Sequence, residues 1–363
     1  MGGLEGPPKP PALGDAPAKP GRPSVLLGMP GGLEGSPKPP ALGDAPAKPG
    51  RPSVLLGMPG GLEGSPQPRA LGDALHMTLA LLVQSAIVGV SLGSIYILMA
   101  LGLTLMFGMM HIINFAHGAV YMLGAFVIYY VFFQGGVPYF AAFVTSMMLL
   151  GVFGYLVERS IYRPIKGGIE PTLVALLALT TFLQAAGYPV FGQLDKHVPP
   201  VFPGTTNVLG VGISIERLMI IPVAAALVIG LYLFINRTRL GAAMRAIEQD
   251  KEAAALQGVN VHVVNGLAFA IGFALAAASG ALMAPIFKLD PMMGEQPLLK
   301  AFIIIILGGL GSIPGAILGG LMLGLIDSIV ATALGAEPAF LLSFVFIILL
   351  LLFRPTGLFG YAS

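Results

Sequence analysis

Arg245, Glu248, Gln249 and Glu252 carry the clearest chemical pattern in this chain. They recur at i, i+3, i+4 and i+7, which sets them in one polar stripe on a helix. They belong to a charged stretch, residues 237–258, between apolar runs at 217–235 and 263–287. Such a stripe pairs with a charged or polar surface; it contains no nucleophile–base pair and no paired carboxylates. Alanine, the best helix former, fills much of the rest. Met244, Ile247, Ala254 and Ala255 fall towards the opposite side, and Gly258 is placed to end the helix. The pattern predicts one short amphipathic helix over 242–256, with Gly241 as a flexible start and Asp250 among its polar groups. Two uses compete. The helix lies in the plane of a membrane interface, or it docks a soluble partner. Its small, alanine-rich apolar face is weak for lipid and favours docking.

Other polar groups stand alone in apolar surroundings. Asn114 and His117 are three residues apart, on one face if a helix continues through them. Buried in lipid they need partners, either as part of a substrate path or gate or as structural hydrogen bonds at a helix break. Asp327 lies in Leu323-Gly-Leu-Ile-Asp327-Ser328, where an acid faces the bundle interior; it meets a substrate amine or neutralises a basic neighbour. Thr180, Thr181 and Gln184 form a mild polar stripe suited to hydrogen bonds between helices. Gly308, Gly311, Gly315 and Gly319 recur at three- to four-residue spacing, which lets helix backbones approach closely, within the chain or against a second one. Pro314 suggests a break there, and a backbone-lined path is the alternative use. No Gly-x-x-x-x-Gly-Lys-Ser/Thr motif exists in the sequence, so no ATP hydrolysis is expected. No metal site is expected from five histidines and no cysteine.

The elements that position these groups follow from composition. The chain has 363 residues, 56% hydrophobic and only 10% charged, against about 25% charged in soluble domains. It is therefore an integral membrane protein. Continuous apolar runs imply helices, which satisfy their own backbone in lipid. Apolar segments fall at 78–99, 101–115, 117–134, 139–157, 171–191, 217–235, 263–287, 297–311, 313–334 and 338–353. Segments 101–115, 297–311 and 338–353 are short for full crossings and suit broken or re-entrant helices. The expected fold is an all-α polytopic bundle of about eight to ten membrane helices. Arg159, Arg163 and Lys166 share one loop, and Arg237, Arg239, Arg245 and Lys251 another. Two spans separate these loops, so both face one side, the cytoplasm by the positive-inside rule. Loops 192–216 and 288–296 then face outward, and Arg354 fits a cytoplasmic C-terminus.

Residues 2–30 and 31–59 are nearly the same sequence, and a third partial copy starts at Gly60 and fades by Ala74. Rich in Pro and Gly, the repeat cannot bury a core. Residues 1–76 read as a disordered tandem duplication upstream of a start at Met77, or as a flexible tether; residues 77–361 form the membrane domain.

The segment Gly241-x-x-x-Arg245-Ala-x-x-x-Asp250-x-x-Ala253-Ala254-x-x-x-Gly258 resembles the cytoplasmic coupling loop of ABC importer permeases. Ile113-Asn114-Phe115-Ala116-His117-Gly118 with Tyr121-Met-Leu-Gly124-Ala125, Gly308-Gly309-x-Gly311-Ser312-x-x-Gly315-Ala316-x-x-Gly319-Gly320, and Phe353-Arg354-Pro355-x-Gly357-Leu358-Phe359-Gly360 narrow the resemblance to the LivH-type permease of branched-chain amino-acid ABC importers. The similarity covers about residues 77–361. It implies a transport subunit rather than an enzyme, in a bacterial inner membrane, with no cofactor of its own because ATP is held by a partner. The implied partners are a homologous, LivM-like permease, ABC ATPase subunits, a periplasmic binding protein, an amino-acid substrate and the lipid bilayer; no nucleic acid is expected. Leu, Ile or Val is the implied cargo. Urea, short amides, other amino acids, sugars or nucleosides remain as alternatives, as do an ion-coupled secondary transporter and a non-transporting scaffold.

Overall fold

The computed structural model describes residues 68–165, 168–208, 210–354 and 357. Most of the tandem repeat, with the disorder expected of it, lies outside them. Seven of the described helices are long and apolar enough to cross a membrane, which makes this a multi-pass membrane protein. They belong to α1 (Pro68–Met110), α2 (Ala116–Val127) with its π-helical extension Ile128–Gln134, α3 (Tyr139–Val157) with the π-helical turn Glu158–Tyr162, α4 (Ile169–Phe191), α5 (Ile215–Arg237), α8 (Val261–Met283) and α10 (Ile313–Leu334). Two short helices, α6 (Arg239–Gln249) and α7 (Lys251–Leu256), link α5 to α8. The half-length α9 (Glu295–Gly308) precedes α10, and α11 (Ala336–Phe353) closes the described bundle. The loop 192–216 holds a small antiparallel hairpin, β1 (Thr205–Val208) with β2 (Val211–Ser214).

The first helix departs from expectation at both ends. It begins at Pro68, inside the third partial repeat, where proline suits a first turn that lacks hydrogen-bond acceptors. It then runs unbroken through the expected gap between 99 and 101. Gly102 does not interrupt it, because a Cβ there would press on the carbonyl of Gly272 and the ring of His117; the glycine serves packing. The apolar stretch Thr78–Met110 has 33 residues, about 50 Å of helix, longer than the ~30 Å of hydrocarbon requires.

Helices α8, α1 and α2 are mostly buried, whereas α4 and α5 are mostly exposed. The buried helices touch through small residues: Gly124 of α2 packs on Ala277 of α8, and Gly280 of α8 packs on the Tyr121 carbonyl. The two basic loops meet, since Arg163 and Lys251 line one cavity, as the same-side reading requires. Gly357, the last described residue, packs against the Ile306 carbonyl and the Gly309 amide at the end of α9.

Candidate functional site

The charged segment folds as two helices, not the single one expected over 242–256. The break is Asp250, with extended backbone (φ −158°, ψ 110°). Its Oδ1 accepts from the amides of Glu252 at 2.9 Å and Ala253 at 3.0 Å. An aspartate that satisfies two free amides starts a new helix, and this outweighed the unbroken periodicity. Gly241 is not a flexible start. It is buried in the first turn of α6, where a Cβ would strike the carbonyls of Phe234 and Ile235. Thr238 fixes the same corner, its hydroxyl accepting from the Gly241 amide at 3.0 Å and donating to the Phe234 carbonyl at 2.7 Å. Gly258 (φ 84°) does end the segment, with its amide donating to Ala255 and that of Val259 to Ala254.

The polar stripe divides. Arg245 turns inward and donates to the Ile235 carbonyl at the end of α5, where the helix dipole favours a cation. The Glu248 carboxylate lies beside Gly108 of α1 and Gly311. Burial raises its pKa above the ordinary carboxylate value, and the nearby His111 charge opposes that rise. Glu248 is exposed overall despite this contact, as are Gln249, Lys251 and Glu252. Met244, Ile247 and Ala254 are buried as expected, but Ala255 is exposed. Leu256, at the end of α7, is 88% exposed.

Asn114 and His117 do not share a helical face, because the helix does not continue through them. Helix α1 stops at Met110, His111 takes a left-handed conformation (φ 54°), and α2 starts at Ala116. Asn114 Oδ1 accepts from the Ala116 amide at 2.9 Å, and its Nδ2 faces Met106 Sδ at 3.6 Å. His117 Nε2 lies 3.2 Å from the Met99 carbonyl, about 16 Å back along α1 from its end. Helix α2 therefore begins deep in the bundle. The Gly294 backbone, at the start of α9, packs directly on the Gly118 carbonyl. Two broken helices thus meet by their N-terminal ends, an arrangement that transporters use around substrate paths.

Asp327 neutralises a basic neighbour, one of its two expected uses, and that neighbour is Lys300, which the sequence reading did not name. Lys300 Nζ lies 2.8 Å from its Oδ1 and 2.8 Å from Ser343 Oγ. Ser343 donates to the same carboxylate oxygen, and the Tyr96 hydroxyl donates to Oδ2 at 3.1 Å. Lys300 and Asp327 are only 4% and 6% exposed. The knot joins α1, α9, α10 and α11. The signal was present: Lys300 and Asp327 are opposite charges in neighbouring apolar segments, and such groups pair.

The glycine run packs helices within this chain. Gly308 and Gly315 touch backbone to backbone across the turn between α9 and α10. Gly309 and Gly311 take positive φ there, and Ser312 caps α10 by accepting from the Gly315 amide at 3.2 Å. Gly319 faces Ile304 and Leu307. The next turns pair Gly320 with Ile97, and Gly324 with Gly89 and Gly93 of α1. The Gly89-x-x-x-Gly93 spacing announced this contact and was overlooked. Thr180 and Thr181 bond to carbonyls of their own helix, against expectation, while Gln184 does bridge to Glu295 at 3.3 Å. Their hydroxyls reach the carbonyl four residues back more easily than a neighbouring helix.

A family model described as "Branched-chain amino acid transport system / permease component" matches residues 85–353. The high-affinity branched-chain amino acid transport system permease protein BraD of Pseudomonas aeruginosa is 38% identical over 293 residues, which cover 76% of this chain and 95% of that protein. LivH of Escherichia coli K12, with the corresponding description, is 34% identical over 287 residues, 75% of this chain and 93% of LivH. A probable LivH from Methanocaldococcus jannaschii is 26% identical over 286 residues, 74% and 89% of the two chains.

Proposed function

This chain belongs to the permease-component family of branched-chain amino acid transport systems, and from that premise we propose that it moves leucine, isoleucine or valine across a bacterial inner membrane as half of a pore. A homologous permease supplies the other half, a periplasmic binding protein delivers the amino acid, and ABC ATPase subunits dock below. The basic loops and the C-terminus face the cytoplasm. ATP belongs to the ATPase partner, and this chain holds no cofactor.

The observation that carries the proposal is the way α6 and α7 are mounted. Arg245 anchors α6 to the end of α5, and Glu248 rests against the end of α1 and the Gly311 turn. A displacement of α6 by an ATPase therefore reaches α1 and the α9–α10 turn without a flexible linker. From there it reaches the junction of α2 and α9, which we assign as the gate. Asn114 and His117 shape the gate by fixing the start of α2, and Asp327 acts through Lys300 by fixing α9. The ATPase contacts fall to the outward edge: Gln249, Lys251, Glu252 and Leu256.

An ion-coupled carrier needs a buried acid free to bind and release its ion. Of the buried acids, Asp327 is already matched by Lys300, Glu216 accepts from the Val201 amide, and Glu158 lies near Arg159 and Arg163 at the end of its span, which favours the ATP-driven reading. The test is reconstitution of the full chain with its permease, ATPase and binding-protein partners in vesicles. Leucine uptake that requires ATP and the binding protein is expected. Uptake that persists without ATP and collapses with the proton gradient would overturn the reading, and uptake of urea or a sugar in place of leucine would change the cargo.

A further inference from the structure

A second polar region lies where the two basic loops meet. A cavity of about 300 Å³ opens there, lined among others by Tyr162, Arg163, Thr172, Lys251, His262 and Asn265. Its height is fixed by the spans that border it. Tyr162 is the last residue of one span, Ile169 at its rim is the first of the next, and His262 is the second of a third. The cavity therefore sits at the level where hydrocarbon gives way to headgroups.

Its electrostatics favour an anion. Arg163, Lys251 and His262 ring the exposed mouth, and no acidic residue is among the described lining. Glu158 interacts with Arg163 and Arg159 but does not line the cavity, so the basic charge is only partly balanced. The N-terminal ends of two long helices also open onto it. Gly168 and Ile169 begin α4, which no side chain caps and whose first turn also carries Glu170; His262 lies in the first turn of α8, where Asn260 already caps the Val263 amide, so the free amides are those of α4. Free amides and the dipole at such ends attract phosphate. Asn265 supplies an independent sign of a missing partner. It is 3% exposed and lines the cavity, and its Oδ1 has no hydrogen-bond partner; towards an anion this side chain can serve only through its Nδ2 amide, as a donor.

One further observation selects the kind of anion. From the cavity α4 runs along the outside of the bundle, and Ile169, Val174, Leu177 and Phe182 on it are half or more exposed. An acyl chain has an apolar track that begins at the polar cavity. We propose that this cavity binds the phosphate of an anionic phospholipid, with its acyl chains against α4 and with Lys251 carrying the contact into α7. Basic pockets between membrane helices recognise anionic headgroups by this combination. The orientation proposed above enters only as the choice of the cytoplasmic leaflet.

The test is native mass spectrometry of the full chain, purified in neutral detergent and mixed with equal amounts of phosphatidylglycerol and phosphatidylcholine of matched acyl chains. Preferential retention of one phosphatidylglycerol is expected. Arg163→Gln combined with Lys251→Gln should lower that preference roughly tenfold. Both residues are exposed, so the bundle should stay intact; if the double variant aggregates, His262→Glu offers a second reading with the same expected direction. Equal retention of the two lipids by the unaltered chain, or undiminished preference in the variants, overturns the proposal. So does displacement of the lipid by millimolar inorganic phosphate, which marks a site for small free anions. The assay needs neither ATPase nor amino acid. Its failure leaves the transport reading standing, and failed uptake leaves this site standing.

Discussion

Two groups of charge in this protein differ in what surrounds them. Lys300 and Asp327 are almost wholly buried and matched to each other, to Ser343 and to Tyr96. The charges of α6 and α7 are largely exposed, and only Arg245 and Glu248 turn back to the bundle. Burial makes the first group obligatory: an unmatched charge in the bundle has no water to solvate it. The second group is solvated and remains available to an outside partner. The same residue types therefore position helices in one place and offer contacts in the other. The seam between the two roles runs along α6, where Arg245 and Glu248 belong to the bundle and their neighbours do not.

The comparison breaks most visibly at Asp327. Asp327→Ala leaves the Lys300 ammonium buried without its counter-charge, and a loss of about 3–5 kcal/mol of stability is expected. Removing both charges with Lys300→Met and Asp327→Leu should recover most of that loss, because a buried pair is often no better than apolar groups of similar volume. Thermal unfolding of the three proteins in one detergent measures both the loss and the recovery. If the double variant transports as well as the unaltered protein, the knot only positions α9. A double variant that is stable but inactive would give the pair a part in the transport cycle. A single variant as stable as the parent would contradict the buried pairing.

Arg245→Ala comes next. It removes a charged hydrogen bond to the α5 terminus, worth about 1–2 kcal/mol when partly buried. Association with the ATPase should fall with it, because α6 loses its mount. Leu256→Asp should separate the two properties. The residue is 88% exposed, so unfolding should barely change, whereas pull-down of the ATPase should weaken roughly tenfold if Leu256 is an anchor. Unchanged association in Leu256→Asp together with loss in Arg245→Ala would move the contact surface from α7 to α6.

Much of this was legible before any coordinates. Apolar run length located the spans, and the basic loops fell on one side as their count implied. Gly258 ended the charged segment where its type suggested. The misses have physical causes. Asp250 was read as one more polar group on a helix, although an aspartate before Glu252 and an alanine run is also a helix start; periodicity alone does not separate the two. The boundary expected between 99 and 101 does not exist; Gly102 next to it packs against the His117 ring of another helix. Lys300 was passed over because a single lysine in an isoleucine-rich segment acquires meaning only when Asp327 stands opposite. These are facts of tertiary contact, although the opposite charges of Lys300 and Asp327 and the spacing of Gly89-x-x-x-Gly93 against Gly320 and Gly324 carried readable sequence signals.

The smallest expected effect lies on the seam itself. Burial beside Gly108 and Gly311 raises the pKa of Glu248, and the charge of His111 offsets part of the rise. The folded segment therefore favours the protonated acid more than the unfolded chain does. Below the ordinary carboxylate pKa both states hold the proton and no penalty exists. As pH climbs from there through the raised folded value, the folded state is held back by an ion it disfavours, and stability falls. Glu248→Gln keeps the shape and removes the titration. Thermal unfolding midpoints of the two proteins should be closest below the ordinary carboxylate pKa, and the variant should gain on the parent as pH rises through the raised folded value and hold its lead above it. The difference should be modest, since the side chain is partly open to water. A parent that gains on the variant as pH rises would mean that Glu248 is matched by a cation, and would place it with Asp327 among the buried, paired charges.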